Sequence, residues 1–414
     1  MLKASLVFAL TYVLIASRRL RLIRLDRAAG ALLGAVLAVS CGVLSPQQAI
    51  AAIDLPTLTL LLGVMGIAAF LAIDGFVDRL APWIERRVRT PQRLLAILVW
   101  GSGCFSALLT NDALCLLVAA PVVQWIRRWG LPRLPFLVAL ATASNTGGVA
   151  TLIGNPQNML CATFGKLEFA GYLGHVLPIA LLSLAFNHAF LAWIFRRDLR
   201  FPLRSELPGT PSLEQSATPL WSPAARWIFF VLAASILACL LGANLPFTLL
   251  FAFVSLMVIL RREPEELWQR IDWSVLLFFA GLFVAVEGFT RSGVPASLLG
   301  RLHPMRGEPT LFESMRTAWV FLFGSNLVTN VPFILLLRGW MQQIAHQRWA
   351  WEMLAVVSTF AGNLTLLGSV ANLIVAEKSL EVGGLGFLEH FKIAAPIALG
   401  TTLIGTLWLY GTYF

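Results

Sequence analysis

Two short runs of hydroxyl and amide side chains interrupt apolar stretches of the sequence. Thr110, Asn111 and Asp112 lie in the first stretch, and Thr329 and Asn330 lie in the second. Hydroxyl and amide oxygens can bind Na⁺, and the same side chains can donate to a carboxylate. A carboxylate at membrane depth costs on the order of 2.5–3.5 kcal/mol, which indicates that Asp112 binds Na⁺ or a proton. Two other interpretations are open: the polar groups could hold helices together, or Asp112 could be a neutral hydrogen-bond donor.

A second kind of polar segment follows each of these runs. Residues 143–158 contain three glycines, a proline and several Ser, Thr and Asn residues, so an uninterrupted helix is not expected there. Residues 358–372 have the same character. Unwound backbone at membrane depth is tolerated where protein or a water-filled cavity satisfies it. Such a break offers carbonyl oxygens to a cation and helix N-termini to an anion.

The polar residues also recur at nearly constant spacing, with offsets of 214, 219 and 213 residues. Matches among Ser, Thr, Asn and Gly mean more than leucine matches would in so apolar a chain. Their constant order indicates an internal duplication. The pairs are Ser144/Ser358, Gly148/Gly362, Thr151/Thr365, Gly154/Gly368 and Asn158/Asn372, then Ser106/Ser325, Thr110/Thr329 and Asn111/Asn330, then Asp74/Glu287, Gly75/Gly288 and Phe76/Phe289.

The composition places these segments in a bilayer. Of the 414 residues, 58% are hydrophobic and only 13% are charged, and the mean hydropathy is +0.79. The pattern predicts ten full spans, each near the length that crosses the hydrocarbon layer. They lie near 4–17, 28–44, 55–73, 135–163, 172–195, 226–242, 246–260, 271–289, 350–376 and 391–412.

The predicted fold class is an all-α polytopic membrane protein made of two inverted repeats of five transmembrane helices. Residues 1–195 form repeat 1, with a re-entrant hairpin about 94–125 and a broken helix about 135–163. Residues 226–414 form repeat 2, with a hairpin about 317–337 and a broken helix about 350–376. Five spans in each repeat is an odd number, so the second copy enters the membrane from the opposite side. The proline-rich residues 196–225 are predicted to be a cytoplasmic linker.

The net charge of +10 is interpreted as a topological signal, not as a nucleic-acid-binding surface. Most of the Lys and Arg residues, including the cluster Arg18-Arg19, collect on one side of the predicted spans. By the positive-inside rule that side is cytoplasmic, so both termini are expected to be periplasmic. The five cysteines occur singly in apolar segments, without metal-ligand spacing, which predicts small hydrophobic packing residues.

We expect the hairpin tips and the broken helices to form the functional site. The predicted substrate-binding residues are Thr110, Asn111, Ser144, Asn145, Thr146, Asn158, Thr329, Asn330, Asn363, Thr365 and Asn372. The predicted cation-coupling residues are Asp112, Ser106, Gly148, Gly154, Ser325, Gly362 and Gly368. Na⁺ is placed at Asn111, Asp112 and Asn330.

These motifs resemble the ion transporter superfamily that contains divalent anion/Na⁺ symporters, citrate carriers and arsenite permeases. The resemblance covers nearly the whole chain and is carried by residues 106–112, 144–158, 271–281, 329–332 and 362–377. It implies two re-entrant hairpins with substrate between their tips, Na⁺ or H⁺ coupling, elevator-type alternating access and a homodimer. Dicarboxylate carriers have Ser-Asn-Thr at the tips. The first tip here is Thr-Asn-Asp, which is more similar to the arsenite-permease branch.

The sequence therefore predicts a secondary active transporter of a small anion, either a di- or tricarboxylate or an inorganic oxyanion, in the bacterial inner membrane. No cofactor is expected beyond Na⁺ or H⁺ as coupling ion, and the expected partners are the anion, the lipid bilayer and a second copy of the chain. The alternatives are an arsenite/antimonite-type exporter and a cation/proton antiporter that uses Asp112. An intramembrane enzyme ranks last because the sequence has no G-x-S-x-G, H-E-x-x-H or P-loop motif.

Overall fold

The computed structural model of the chain describes residues 2–16, 26–200, 219–300 and 307–414. These residues form helices and connecting turns, with no strand among them. The α-helices are α1 (Leu2–Ala16), α2 (Arg27–Ser40), α3 (Pro46–Ala52), α4 (Leu55–Asp74), α5 (Phe76–Glu85), α6 (Pro91–Leu108), α7 (Asn111–Trp129), α8 (Arg133–Gly148), α9 (Pro156–Gly165), α10 (Phe169–Ile194), α11 (Pro223–Leu240), α12 (Leu245–Leu260), α13 (Pro264–Trp268), α14 (Trp273–Thr290), α15 (Val294–Leu299), α16 (Leu311–Val328), α17 (Asn330–Met341), α18 (Gln347–Ala361), α19 (Val370–Lys378) and α20 (Phe387–Tyr413). Short 3₁₀ turns occupy Asp198–Arg200, Leu366–Gly368 and Leu380–Val382.

The start of many helices follows from the local sequence. Thr90, Asn155 and Ser222 each precede a proline, and each side chain accepts a hydrogen bond from a backbone N–H of the following helix. A capping oxygen satisfies an otherwise unpaired donor, and proline is tolerated in the first turn because its missing N–H would have no helical partner. Capping residues followed by proline therefore fix where these helices begin.

Five helices in the described residues are long and apolar enough to cross a membrane: Leu55–Asp74, Phe169–Ile194, Pro223–Leu240, Trp273–Thr290 and Phe387–Tyr413. Three shorter apolar helices lie at Leu2–Ile15, Arg27–Ser40 and Leu245–Leu260. Of the ten stretches predicted to span, eight correspond to one of these helices. The other two, 135–163 and 350–376, each divide into two helices.

Reciprocal helix pairs connect the two halves of the chain. Helix α14 packs on α2, and α4 packs on α12. The two helices of each pair approach so closely that a side chain at the contact would clash with the facing backbone. A Cβ at Gly281 would lie 2.6 Å from the backbone carbon of Ala31, and one at Gly63 would lie 2.7 Å from that of Leu249. Residues 63 and 281 are 218 residues apart, as are their contacts Ala31 and Leu249 and the N-caps Asp54 and Asp272. The two helix pairs are therefore related by an offset of 218 residues, and not by the 213 that pairs Asp74 with Glu287.

The remaining long helices pack around α8 and α18. Helix α8 is buried at every position from Pro135 to Gly148, and α18 is buried from Trp349 to Ala361. A helix buried on all sides belongs at the centre of a bundle. Helix α6 packs on α8 and α16 packs on α18, while α7 contacts α19 and α17 contacts α9. The helix tips therefore meet at the two central helices.

The predicted linker 196–225 is only partly described. Residues 201–218 lie outside the described residues, as do the basic residues Arg18 and Arg19. At its two ends, a 3₁₀ turn occupies Asp198–Arg200 and α11 begins at Pro223, three residues before the predicted span.

Candidate functional site

The first tip is the two-residue connection between α6 and α7. Thr110 caps α7, and its hydroxyl oxygen accepts a hydrogen bond from the backbone N–H of Ala113. The backbone N–H of Asn111 donates to the carbonyl of Gly154 at 3.0 Å, inside the break between α8 and α9. The tip is therefore attached directly to the first broken helix.

The break itself is tightly packed around two glycines. A Cβ at Gly154 would lie 2.1 Å from the carbonyl oxygen of Gly148, so no larger residue fits there without movement of the backbone. On the α6 side, Ser106 donates to the carbonyl of Ser144 at 2.5 Å and Thr151 donates to that of Ala107 at 2.6 Å. Carbonyls that leave the helix at the break are thus partly satisfied by the hairpin and by side chains.

Two asparagines hold the two breaks in the same way. Asn158 donates its amide N–H groups to the carbonyls of Gly148 at 3.1 Å and Thr151 at 2.8 Å. Asn372 donates to the corresponding carbonyls of Gly362 at 2.8 Å and Thr365 at 3.1 Å. Both side chains are fully buried. The two predicted broken helices therefore share one internal hydrogen-bond pattern.

The second tip, between α16 and α17, differs from the first. Thr329 has φ 64° and ψ 153°, a conformation that is strained for a residue with a side chain. Asn330 donates to the carbonyl of Gly368 at 3.2 Å. Its Oδ1 and the hydroxyl of Ser325 are buried and have no hydrogen-bond partner within the described part of the chain. The second tip thus presents two unsatisfied buried oxygens, whereas Ser106 and the Asn111 oxygen at the first tip are both engaged.

Hydrogen bonds between side chains cross from one half to the other. Asn145 in α8 donates to Asn372 Oδ1 at 3.0 Å and accepts from Ser369 Oγ at 2.9 Å. Thr359 in α18 donates to Asn158 Oδ1 at 3.1 Å and accepts from Asn155 Nδ2 at 3.0 Å. Positions 145 and 359, 155 and 369, and 158 and 372 are each 214 residues apart. Each half therefore completes the broken helix of the other by equivalent contacts.

Asp112 lies in the first turn of α7 and faces the other half. The backbone N–H of Ala371, in the first turn of α19, and the charge of Arg27 both act favourably on its carboxylate. A carboxylate is stabilised at a helix N-terminus by the unpaired N–H groups and by the helix dipole. The residue that corresponds to Asp112 in α17 is Val331, which has no charge.

The predicted site residues all lie at the tips, the breaks or the contact between them. Asn363 completes the group, because its Nδ2 donates to Thr146 Oγ1 at 3.2 Å and its Oδ1 accepts from Asn145 Nδ2 at 2.9 Å. The division of these residues into substrate ligands and cation ligands stays a prediction.

Several members of this network were not predicted from the sequence. Asn155, Ser369 and Thr359 carry cross-half bonds, and Asn326 accepts from Thr365 at 3.1 Å and donates to the carbonyl of Ala361 at 2.8 Å. For Asn155, Ser369 and Thr359 the available signal was the offset of 214 residues, which pairs Asn155 with Ser369 and Asn145 with Thr359. At that offset only identical residues were matched. Asn326 has no such signal, because its counterpart at the hairpin offset of 219 is Ala107.

A separate buried carboxylate was missed as well. Glu352 in α18 is fully buried, and its oxygens lie 3.2 Å from Arg348 Nε and 3.1 Å from His175 Nδ1. The Tyr413 hydroxyl lies 3.3 Å from the same histidine nitrogen. This cluster joins α10, α18 and α20 away from the tips. An acidic residue inside a predicted span was the available signal.

Apolar helices, two helix tips and two broken helices together define a polytopic membrane transporter, and a solved structure shares this fold. The YdaH transporter of Alcanivorax borkumensis superposes on this chain with a TM-score of 0.52 at 14% sequence identity. The match covers 100% of this chain and 97% of the YdaH chain. A family model described as citrate transporter matches residues 12–361. The chain belongs to the citrate transporter family, whose members are integral membrane transporters.

Relatives match along nearly their whole length. A silicon efflux transporter of Oryza sativa subsp. japonica is 29% identical, over 97% of this chain and 96% of its own. A transporter called arsB from Dictyostelium discoideum is 26% identical, over 97% of this chain and 90% of its own. A 46 kDa membrane protein of Mycobacterium leprae is 27% identical, over 99% and 98%.

Proposed function

We propose that this protein is a secondary active transporter of a small anion, either a di- or tricarboxylate or an inorganic oxyanion, driven by Na⁺ or H⁺. Family membership supports transport. The observation that carries the ion coupling is the pair of buried, unpartnered oxygens at the second tip, Asn330 Oδ1 and Ser325 Oγ. Leaving a buried acceptor unpaired costs roughly 1–3 kcal/mol, and a bound cation would supply the missing partner. The strained backbone of Thr329 beside them is typical of a functional site.

The proposed architecture is a pair of inverted repeats that work by elevator-type alternating access. The reciprocal pairs α2/α14 and α4/α12 and the equivalent roles of Asn158 and Asn372 support it. The tip helices pack among themselves and around α8 and α18, which suits a body that slides as a unit past the two helix pairs. We extend the proposal to a homodimer, by resemblance to the superfamily, and to the bacterial inner membrane with both termini periplasmic, by the positive-inside rule.

The anion is placed at the N-terminus of α9, near the second tip. Helix N-termini attract anions through their unpaired N–H groups. At α19 the chain supplies its own anion, because α7 packs on α19 and the Asp112 carboxylate interacts with the backbone N–H of Ala371. Helix α9 packs on α17, where the corresponding residue is the uncharged Val331. The positive end of α9 is therefore free of that internal carboxylate.

Asp112 would then couple the binding of Na⁺ or H⁺ to the movement of the two halves. A proton or cation bound to its carboxylate competes with the N–H of Ala371 and weakens the contact between α7 and α19. That competition gives the coupling ion a direct effect on the relative position of the two halves.

Export is the second candidate, and the names of two relatives favour it. One is a silicon efflux transporter and another is called arsB, which agrees with the Thr-Asn-Asp tip expected for an arsenite/antimonite-type exporter. A cation/proton antiporter that uses Asp112 is the third candidate. It differs from the others in that no anion would be required.

Thermal stabilisation of the purified protein tests these functions, because a ligand that binds the folded state raises the melting temperature. The panel is citrate, succinate, sulfate, phosphate, arsenite and silicic acid, each with NaCl or choline chloride at pH 6 and pH 8. A shift with one anion that also requires Na⁺ or depends on pH is expected, whereas a shift only with arsenous or silicic acid, which are mainly uncharged at both pH values, would favour the exporter. Cation shifts without any anion response would favour the antiporter, and no shift with any ligand would contradict the proposal.

Two variants locate the site within the same assay. Val331→Asp supplies a carboxylate beside α9 and should abolish the anion shift, whereas the uncharged control Val331→Asn should retain it. Asp112→Asn should keep anion stabilisation but lose its dependence on the coupling ion. Transport into proteoliposomes by Asp112→Asn that still follows every ion gradient would remove Asp112 from coupling.

A further inference from the structure

One side chain connects the first tip to the second break. The Asn145 amide donates one hydrogen to Asn363 Oδ1 at 2.9 Å and the other to Asn372 Oδ1 at 3.0 Å. Its oxygen accepts from Asn111 Nδ2 at 2.7 Å and from Ser369 Oγ at 2.9 Å. A side-chain amide has two donors and two acceptor positions, so all four are used within the protein. Asn145 is 1% exposed, so its hydrogen-bonding positions are satisfied by protein groups and not by solvent.

The four partners of Asn145 belong to two different sites. Asn111 is the amide of the first tip. Ser369 precedes α19, and Asn372 holds the carbonyls of Gly362 and Thr365 at the second break. If the first tip moves and Asn111 rotates, the hydrogen bond from Asn111 to Asn145 Oδ1 changes. The same oxygen accepts the hydrogen bond from Ser369, so the second break is affected too.

The corresponding position in the other half lacks this connection. Thr359 has one hydroxyl, which donates to Asn158 and accepts from Asn155, both of the first break. The amide of the second tip, Asn330, donates instead to the backbone carbonyl of Gly368. Within the described residues, a side-chain bridge from a tip to the opposite break thus runs through Asn145 and not through Thr359.

We propose that Asn145 is a positioning residue that couples the first tip energetically to the second break, so that ion binding at one changes the affinity at the other. Coupling between sites typically changes affinity about 5–150-fold, and it acts equally in both directions. The ion-binding part of this inference rests on the proposed function, whereas the coupling between tip and break does not.

A double-mutant cycle measures the coupling without any ligand. Asn111→Ser and Ser369→Ala remove the two donors to Asn145 Oδ1, and no hydrogen bond joins these two residues to each other in the described structure. Melting temperatures of the full-length protein are compared in the natural background and in Asn145→Thr, which copies the residue tolerated at position 359. Non-additive shifts in the natural background and additive shifts in Asn145→Thr are expected. Additive shifts in both backgrounds would overturn the proposal.

An ion titration separates this coupling from a merely structural role. NaCl, replacing choline chloride at constant ionic strength, is titrated against the melting temperature, with a parallel titration of pH. Ser369→Ala should shift the half-saturating Na⁺ or proton concentration about 5-fold or more, although the Ser369 hydroxyl donates to Asn145 and not to a residue of the first tip. The matched control is Thr359→Val, which removes the cross-half hydrogen bonds to Asn155 and Asn158 and none to a tip. It should shift the half-saturating concentration less than Ser369→Ala does. A natural protein that responds to no ion would contradict the proposed function, while the cycle would still decide the inference.

Discussion

Asn158 and Asn372 give a sharp test of the equivalence of the two halves. Replacing either with alanine removes the donor from two buried backbone carbonyls and the acceptor from one cross-half partner. An unsatisfied buried polar group costs roughly 1–3 kcal/mol, so each variant should lose about 2–6 kcal/mol from its two carbonyls alone. Because the two side chains make the same bonds at similar distances, the two losses should be similar.

The assay is thermal unfolding of detergent-solubilised protein, followed by fluorescence-detected size-exclusion chromatography. Gln343→Ala is the matched control, since Gln343 is exposed and its amide donates one long bond of 3.5 Å to Gly339. Asn158→Ala and Asn372→Ala should both melt far below this control. If either melts with the control, its amide does not hold the break; if only one does, the two breaks are not equivalent.

Three further predictions test local geometry. Gly154→Ala should be poorly expressed or unstable and Gly368→Ala much less so, because the added Cβ would lie 2.1 Å from a backbone oxygen at the first break but 3.0 Å at the second; equal melting temperatures would contradict this. Thr329→Gly should raise the melting temperature, since the strained conformation costs of order 1–3 kcal/mol that glycine does not incur; an unchanged value would mean that the tip is not strained. Arg348→Ala should destabilise the fold by about 1–3 kcal/mol, because it leaves the buried Glu352 carboxylate unpaired. The loss should be smaller than for a fully buried ion pair, since Arg348 is 46% exposed. Adding Glu352→Gln should restore most of the loss, and a further loss in the double variant would show that the buried charge is not the cause.

The positions of the tips and breaks could be predicted from sequence because their signals are local. The tips at 110–112 and 329–330 separate helices as expected, and the breaks begin at Gly148 and after Ala361, within the predicted stretches. Glycine, proline and capping residues act on their own backbone, so one sequence is enough to locate them. The all-helical membrane fold is confirmed for the same reason, since apolar length is a property of each segment.

The network between the halves could not be predicted because its bonds join residues far apart in the chain. Asn145 and Asn372 are 227 positions apart, and nothing local to either one identifies the other. The short helices α3, α5, α13 and α15 were also not predicted, since segments of five to ten residues carry little periodicity. The asymmetry between a satisfied first tip and an unsatisfied second tip depends on atomic contacts, which repeated sequence motifs do not reveal.

The bonds between the halves have a consequence for biosynthesis. Asn155 and Asn158 of the first half are paired with Thr359, which the ribosome adds 204 and 201 residues later. The first half must therefore enter the bilayer with buried amides whose final partners have not yet been translated. Exposed polar groups in lipid are costly and favour association with other chains. A nascent chain halted before residue 359 should accordingly be a preferred substrate for membrane quality-control proteases, even though every helix of its first half has been synthesised.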